Sequence, residues 1–535
     1  MGRFWIVVVT LAACGDNGSA PKDAAGDAAN DAAVDAATCE TLGCEDNETC
    51  TNDVCDPVDG CRHVSLDRCA EPLCAMTSCA GTDTDGDGLQ DAWELQGYVD
   101  VNCNGVNDGD GVDVQLADAN VAVPDAYIEI DYHEMAGTGA ACTNDAAGDA
   151  ACNSAVLGES CVNGVCTHTH RPRQASLDLA RLAAARGLSP LPNDPSPPAD
   201  LAGKPGFRIH WEHADAIPET SGLVVSFGNY EASRDLDPAC VGPNGQNFFD
   251  LKDAHFFGAT NPALFAARRR IVHYAIATHV SQCPIGAVLP NDFCQACPAD
   301  RGGGTPQAGS SGSAEIPGND FMISLGDRFF TLGRLTTVIP REEAGTILHE
   351  LGHNLGLLHG VLLVNGVHTP SFAPEYNPIY FSVMNYNYQF GMLFAATPGS
   401  KVPVSFRLDY ADDTVCAELS EASLIESDGA QCGPTSTRVI RFVPNTGTPV
   451  FGSATTGTGI DWDNDGTIST TAGPRDLNGI VANETFYTIN EWGYAAGKFT
   501  NLAFDSFCSP WAMADALPSQ EARVFEPSSR LTQRR

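Results

Sequence analysis

Residues 349–359 read HELGHNLGLLH and place three histidines and a glutamate at spacings that suit metal chemistry. On a helix, His349 and His353 lie one turn apart, so both imidazoles can reach one ion. His359 can become a third ligand only if the chain turns back after the helix. Gly356 can supply that turn, because glycine adopts positive φ without steric cost. Three neutral imidazoles leave a fourth coordination position open for water, which is typical of catalytic zinc sites.

Glu350 follows the first histidine and lies beside the ligands without being one of them. Zinc would lower the pKa of a water molecule and polarise a scissile carbonyl, while Glu350 takes the proton from the water and passes it to the leaving amine. The segment therefore predicts peptide hydrolysis without a covalent intermediate. Two histidines four residues apart also occur on helices that bind no metal, and the third histidine and the glycine argue against that alternative.

The element that must position these residues is a helix with an apolar stripe. The stripe residues recur at i, i+3, i+4, i+7 and i+11, and they are Ala344, Ile347, Leu348, Leu351 and Leu355. This periodicity predicts that the stripe faces a core and that both histidines project from the opposite side.

The complete pattern HExxHxxGxxH, followed by SVMNY at residues 382–386, resembles the metzincin family of zinc metallopeptidases. The resemblance implies that Met384 forms a structural turn beneath the metal. It also implies that Tyr386 matches a tyrosine that binds or approaches zinc in some metzincins and stabilises the transition state. In other metzincins the corresponding residue only packs, and both interpretations stay open. Gly360, after the third histidine, departs from the acidic, Pro or Ser residue of several branches, and VMNY looks closest to pappalysin-like bacterial enzymes.

The resemblance covers roughly Pro124 to Cys508 and implies an α/β fold: an α+β catalytic domain with a mixed twisted sheet and a zinc-site helix. Alternating strand and helix patterns from about Pro124 agree with this class. The predicted strands are YIEIDY (127–132), FRIHW (207–211), LVVSF (223–227) and FMISL (321–325), and the predicted helices are Gln174–Arg186 and Pro262–Val272.

Residues 83–94, DTDGDGLQDAWE, match the twelve-residue calcium loop of EF-hand, dockerin and thrombospondin type 3 modules. The loop pattern assigns the ligands Asp83, Asp85, Asp87, the Leu89 carbonyl, Asp91 and Glu94, with Gly88 at the sharp turn. We expect a structural calcium ion that stiffens a linker, although a solvated acidic turn would use the same residues.

A second acidic loop begins at Asp461, Asp463 and Asp465, followed by Gly466, but its twelfth position is Ala472 rather than glutamate. An irregular calcium site and a plain Asx turn are both compatible with it. Asn102–Asp113 is also rich in Asn, Asp and Gly and lacks the full loop spacing.

The N-terminal residues MGRFWIVVVTLAAC resemble a bacterial lipoprotein signal, in which Cys14 would receive the lipid. An ordinary cleaved secretory signal is the alternative, and both predict export to the cell surface, the outer membrane or the medium. The apolar run is shorter than the ~20 residues that a membrane-spanning helix needs, so any membrane contact is expected through the lipid anchor alone.

The composition fits an exported protein that does not bind nucleic acid. With 68 Asp and Glu against 29 Lys and Arg, the net charge of −39 would repel a phosphate backbone. Setting Cys14 aside, the remaining cysteines of the 21 are even in number and can pair in an oxidising compartment. Those in 142–166 and 283–297 are expected to staple loops.

The predicted organisation begins with a signal peptide and a small disulfide-rich module and ends with the catalytic domain. The segments are 1–13 (signal), 14–38 (lipid anchor and flexible Asp/Ala linker), 39–82 (cysteine-rich module), 83–123 (calcium-loop region), 124–510 (peptidase domain) and 511–535 (C-terminal tail).

The predicted function is an extracellular zinc endopeptidase, supported by calcium, that acts on proteins or peptides. Two alternatives remain at this stage: a catalytically inert calcium-binding adhesion or scaffold protein, and a zinc hydrolase acting on non-peptide amides of the cell envelope. An intact Glu350 with all three histidines argues against the inert scaffold, which would need no general base.

Overall fold

A computed structural model describes a large part of the chain. The described residues are 51–56, 60–65, 82–102, 104–135, 139–143, 147–148, 151–152, 159–162, 164–188, 200–218, 224–226, 245–278, 311–325, 339–412, 416–444, 449–479, 483–495 and 512–514. The predicted signal peptide with Cys14, the Asp/Ala linker, most of the cysteine-rich segment and the 283–297 insertion lie outside them. The chain divides into two compact units, 1–70 and 71–535.

The first unit contributes one described hairpin, within the segment predicted to be a cysteine-rich module. Strands β1 (Thr51–Asp56) and β2 (Gly60–Ser65) pair antiparallel, with Cys55 opposite Cys61 in the register.

The second unit contains the remaining described strands and helices. Its strands are β3 (Tyr98–Val99), β4 (Val114–Gln115), β5 (Asp125–Met135), β6 (Glu159–Val162), β7 (Val165–Thr169), β8 (Arg208–Trp211), β9 (Ala216–Pro218), β10 (Val224–Ser226), β11 (Gly245–Asn247), β12 (Val272–Ala277), β13 (Gly312–Glu315), β14 (Asp320–Ile323), β15 (Gly360–Val364), β16 (Val367–Ser371), β17 (Met392–Ala395), β18 (Pro403–Arg407), β19 (Leu419–Ser420), β20 (Arg438–Phe442), β21 (Val450–Ser453), β22 (Thr485–Phe486) and β23 (Ala512–Ala514). Its helices are α1 (Asp91–Gln96), α2 (Gln174–Ala185), α3 (Phe248–His255), α4 (Pro262–Ile271), α5 (Ile339–Asn354) and α6 (Glu491–Ala495).

The largest described sheet is mixed and is built around the long strand β5. Its main order is β23-β13-β14-β12-β5-β7-β6, and β8 and β9 also pair with β5. Strands β8, β9 and β12 run parallel to β5, and β14 runs parallel to β12. Strand β13 is antiparallel to both β14 and β23, and β7 is antiparallel to β5 and β6.

A different layer covers each face of this sheet. Because side chains alternate between the two faces along a strand, neighbouring residues pack against different layers. Ala275 of β12 belongs to a core formed with α2 and α5, whereas its neighbour Tyr274 belongs to a core formed with α3 and α4. The second core also contains Leu89 and Trp93, so the predicted calcium loop packs against the sheet. The result is a layered α+β architecture.

The helix α5 buries the predicted apolar stripe. Ala344, Ile347, Leu348, Leu351 and Leu355 are all at most 1% exposed, and all belong to the core on the α2 side of the sheet. The prediction of a core-facing stripe is therefore confirmed.

The chain after α5 forms a smaller β region with its own core. Strands β18, β17, β20 and β21 form a four-stranded antiparallel sheet. Phe442, Trp462 and Phe486 are fully buried in its core, and a disulfide joins Cys416 to Cys432.

The predicted α/β fold class is confirmed, and most predicted elements lie within a few residues of their observed bounds. The segment 223–227 overlaps β10, which pairs with β11 in a separate two-stranded sheet rather than joining the main one. The insertion 142–166 is stapled as expected, by Cys142–Cys161 and Cys152–Cys166. Among the described helices, none is long and apolar enough to cross a lipid bilayer.

Candidate metal centre

Helix α5 and the turn that follows it bring the three predicted ligands together. His349, His353 and His359 can each offer a ring nitrogen, and these nitrogens lie within 4.8 Å of one another. The Nε2 atoms of His353 and His359 are 3.0 Å apart. All three residues are at most 3% exposed. Three buried imidazoles converging on one point form a group that can hold a metal ion, and the triad is compatible with a zinc site.

Two main-chain carbonyls orient the first two imidazoles. Nδ1 of His349 lies 2.7 Å from the Val383 carbonyl oxygen, and Nδ1 of His353 lies 2.8 Å from the Leu357 carbonyl oxygen. A carbonyl oxygen can only accept, so each Nδ1 carries the proton and donates it. The Nε2 atom of each ring then keeps its lone pair for a metal, which is the usual arrangement of histidine ligands.

The turn after α5 works as the sequence predicts. Gly356 has φ of +80°, its N–H donates to the His353 carbonyl, and the Leu357 N–H donates to the Gly352 carbonyl. This pair of hydrogen bonds is the Schellman motif, which ends a helix at a left-handed residue. The chain is thereby redirected and brings His359 back toward the two helical histidines.

Gly360 begins β15 immediately after the third histidine. A Cβ atom at this position would lie 2.5 Å from the carbonyl oxygen of Pro374. The close approach of the 373–374 backbone therefore leaves no room for a side chain at this position.

Met384 is fully buried and lies against helix α5 at Gly352. A Cβ on Gly352 would lie 2.2 Å from its Sδ atom, so the thioether fills the space that the glycine leaves. The Met384 N–H donates to Ser382 Oγ, and the preceding carbonyl, of Val383, orients His349. The turn predicted at 382–386 thus packs on helix α5 through the Met384 side chain and contacts His349 through the Val383 main chain.

Tyr386 is brought next to the third histidine. Its hydroxyl lies 3.3 Å from His359 Nε2, and the two ring centroids are 4.4 Å apart. The hydroxyl is therefore close to the position that a metal, or an oxygen atom beside it, would occupy.

Glu350 faces the sheet strand β13 beside the histidines. A Cβ atom on Gly312 would lie 2.3 Å from Glu350 Oε1, so the β13 backbone approaches the carboxylate closely. Glu350 is fully buried. Its placement in the same turn of α5 as His349 suits a base that acts on a molecule held at the metal position.

A buried network supports the segment just before His359. The Tyr380 hydroxyl lies 3.1 Å from the Leu358 carbonyl oxygen and also hydrogen-bonds the Glu491 carboxyl, which accepts from the Ala411 N–H. Burial raises the pKa of Glu491 to about 7. The one hydroxyl proton cannot serve two acceptors, so a protonated Glu491 completes the network.

The predicted calcium loop presents two overlapping carboxylate groups. Asp83, Asp85 and Asp87 form one, and Asp87, Glu94 and Asp125 form the other. Glu94 is only 5% exposed, and neither of its carboxylate oxygens has a hydrogen-bond partner among the described residues. A buried carboxylate without partners is costly unless a cation is present, so the loop fits a cation.

The other predicted loop residues are placed as follows. Gly88 has φ of +92°, as a sharp turn requires, and Leu89 is fully buried. The Asp91 carboxylate accepts hydrogen bonds from the Thr84 N–H and hydroxyl, both at 2.8 Å.

Asp125, at the start of β5, was not predicted to lie in this group. Its N–H donates to Asp87, and its carboxylate accepts from both Arg208 nitrogens and lies 2.7 Å from His210 Nε2. Only the fold of the sheet brings it near the loop, since 38 residues separate it from Asp87.

In the second acidic loop, two of the three candidate carboxylates lie in one group with a residue from outside the loop. Asp461 and Asp463 group with Glu426, a residue of a preceding 3-10 turn that the sequence pattern did not indicate. Asp465 instead accepts hydrogen bonds from the Thr467 N–H and hydroxyl. Arg475 Nε lies 2.8 Å from Asp463 Oδ2, so a guanidinium already neutralises part of this cluster.

The histidines outside the motif have structural contacts. His210 stacks on Tyr127 with ring centroids 4.5 Å apart, and His213 stacks on Phe257 at 3.6 Å. Neither belongs to a metal-binding group of the described chain.

Comparison with known proteins does not assign this chain to a family. The sequence matches no protein-family model, and no curated protein is detectably similar to it.

Proposed function

We propose that this protein is a zinc-dependent endopeptidase of the metzincin type. The observation that carries the proposal is the convergence of His349, His353 and His359 around one point, with Glu350 beside it. The turn through Met384 and the hydroxyl of Tyr386 add features that the sequence resemblance implies.

The donor set fits zinc, because three neutral imidazoles and an open position are typical of catalytic zinc sites. When bound, zinc supplies a Lewis acid that polarises a peptide carbonyl and lowers the pKa of water. Glu350 accepts the proton of the attacking water and delivers it to the leaving amine. The Tyr386 hydroxyl donates a hydrogen bond to the oxygen that gains charge in the transition state.

We further propose that the 83–94 loop binds calcium and that the protein is exported through an N-terminal lipoprotein signal. Glu94 supports the calcium proposal, because its buried carboxylate lacks a partner among the described residues. Carboxylate oxygens in a twelve-residue loop are the ligands that calcium prefers.

The proposal is tested by metal analysis of the purified protein together with casein cleavage. We expect one zinc ion per chain, casein cleavage that a chelator abolishes, and recovery when zinc is restored. Bound zinc without cleavage of casein or of a peptide library would favour an inert scaffold instead.

A further inference from the structure

Tyr386 lies between two asparagines whose side-chain amides reach the same neighbouring segment. Asn387 Nδ2 donates to the Tyr376 carbonyl oxygen at 2.6 Å. Asn385 Nδ2 donates to the Asn377 carbonyl oxygen at 2.5 Å. Both asparagines are at most 5% exposed, so little water competes for these hydrogen bonds. The residues on either side of Tyr386 are thus fastened to two successive carbonyls of one segment.

The backbone of Tyr376 has a conformation that needs such support. Its φ is +54°, in the left-handed region, which a bulky side chain rarely adopts. A residue in this region persists only where the surrounding structure holds it in place. The preceding carbonyl, of Glu375, accepts from Asn478 Nδ2 at 3.0 Å. The following side chain, of Asn377, donates to the Tyr487 carbonyl at 2.7 Å. The chain is therefore fixed on both sides of Tyr376.

The ring of Tyr376 packs on the ring of Tyr386. Their centroids are 5.4 Å apart, and Tyr376 is only 1% exposed. The Tyr386 ring also contacts His359 and His349, with centroid distances of 4.4 and 5.8 Å. Tyr386 itself is 6% exposed, so its phenol ring is enclosed among three other rings. A hydroxyl stabilises a transition state best when it is already held at the place where charge develops.

We propose that Asn387 and Tyr376 are positioning residues that hold the Tyr386 hydroxyl beside the metal-binding group. Asn385 fastens the other side of the same turn. These residues act through Tyr386 and touch no reacting atom. The inference rests on the proposed peptidase function and on the transition-state role of Tyr386, whereas the confinement of the ring can be measured independently of both.

The test compares the parent with Asn387→Ala in the purified full-length chain. Asn319→Ala is the matched control, because Asn319 is also 5% exposed and its Nδ2 donates to the main-chain carbonyls of Arg269 and Val272, away from the 382–386 turn. The first measurement is an NMR spectrum of protein that contains ¹³C-labelled tyrosine, which requires no catalytic activity. The loss of signals in Tyr386→Phe assigns the Tyr386 ring.

In the parent and in the control, we expect separate signals from the two edges of the Tyr386 ring, because a closely packed ring turns over slowly. In Asn387→Ala the two edges should merge into one averaged signal, since the turn has lost its bond to the Tyr376 segment.

The second measurement is steady-state kinetics on a peptide substrate. Asn387→Ala should lower kcat about tenfold and leave KM nearly unchanged, because a displaced hydroxyl loses an interaction made in the transition state. The same substitution should leave kcat unchanged in a Tyr386→Phe background, where no hydroxyl remains to be positioned.

Tyr386 signals in Asn387→Ala that match those of the parent would overturn the inference. So would a fall in kcat that is equal in Asn387→Ala and Asn319→Ala, or equal with and without the Tyr386 hydroxyl. A merged signal in Asn387→Ala without cleavage by the parent would support the positioning role and refute the peptidase function.

A variant that loses its cooperative melting transition is replaced by a second one. Tyr376→Leu removes the ring contact, keeps an apolar side chain and should give the same NMR and kinetic results as Asn387→Ala. If both variants fail to fold while Asn319→Ala folds, the contacts serve the fold as a whole and the inference is overturned.

Discussion

At the scale of single residues, two of the three histidines of the metal-binding group are oriented by hydrogen bonds that they donate to main-chain carbonyl oxygens. The carbonyls of Val383 and Leu357 fix the proton on Nδ1 of His349 and His353. Each Nε2 is then a preformed donor for a metal, and the rings have little freedom left to lose on binding.

Replacing Tyr386 with Phe removes a hydroxyl 3.3 Å from His359 Nε2 and keeps the ring contacts. We expect kcat to fall on the order of 10²-fold with a small change in KM, because the hydrogen bond acts mainly on the transition state. Steady-state kinetics with metal analysis checks this. A variant with full zinc and unchanged kcat would show that Tyr386 only packs.

Glu491 makes the stability of the fold depend on pH. Its pKa rises from 4.5 to about 7 on burial, so the folded state binds a proton that the unfolded state releases. This contribution to stability is full below about pH 4.5 and is lost as pH rises to about 7. Glu491→Gln stays neutral and can donate to the Tyr380 oxygen while accepting from the Ala411 N–H.

The variant Glu491→Gln should therefore gain stability relative to the parent as pH rises from about 4.5 to about 7, and the difference should be constant above that range. Urea unfolding of both proteins at several pH values measures the difference between their free energies of unfolding as a function of pH. The contributions of the other buried carboxyl groups cancel in this difference. A difference that does not change with pH would contradict the assignment.

At the scale of elements, the end of α5 decides whether His359 reaches the other ligands. The turn needs a left-handed residue, and Gly356 adopts φ of +80°. Replacing it with Ala should lower the free energy of unfolding by about 1–2 kcal/mol, because a Cβ is strained in that region. It should also weaken zinc binding, since the turn returns His359 to the site.

The matched variant Gly356→Asn should lose less stability, because Asn tolerates the left-handed region better than Ala. Denaturant unfolding and a zinc competition assay check both variants. Equal losses of stability in the Ala and Asn variants would show that the left-handed backbone conformation at residue 356 does not determine the stability of the turn.

The sequence predicts α5 and the grouping of its two histidines with His359 well, because the information is local. The apolar stripe, the histidine spacing and Gly356 all follow from periodicity and from the conformational freedom of glycine. Three other groups could not be predicted, because contacts between segments far apart along the chain bring each of them to its site. They are Glu426, Asp125 and the Val383 carbonyl. The cover of β13 by β23 is of the same kind, since no local pattern selects which strands meet at an edge.

At the scale of the whole molecule, the calcium loop belongs to the packing of the second compact unit. Leu89 and Trp93 share a core with α3 and α4, and Asp87 accepts the N–H of Asp125 at the start of β5. Burial and the Asp85 carboxylate next to it raise the pKa of Asp87 to about 8. A cation at this loop would therefore be linked to the stability of the central sheet.

Calcium should raise the melting temperature of the protein when zinc is held constant. A ligand that binds only the folded state at about 100 times its Kd stabilises by about 2.7 kcal/mol. Glu94→Gln should lose most of this shift, whereas Asp428→Asn, which changes an exposed charge elsewhere, should keep it. Differential scanning calorimetry measures the shifts. A shift that is the same in all three proteins would place calcium at another site.

The variant Glu350→Ala tests whether His349, His353 and His359 hold zinc while Glu350 acts as the base. Zinc content and casein cleavage are measured on the same preparation of variant and parent. We expect an unchanged zinc content of one per chain and the loss of nearly all cleavage, because the ligands remain and the proton acceptor is gone. Full cleavage by a variant that keeps its zinc would contradict the assignment of Glu350 as the base.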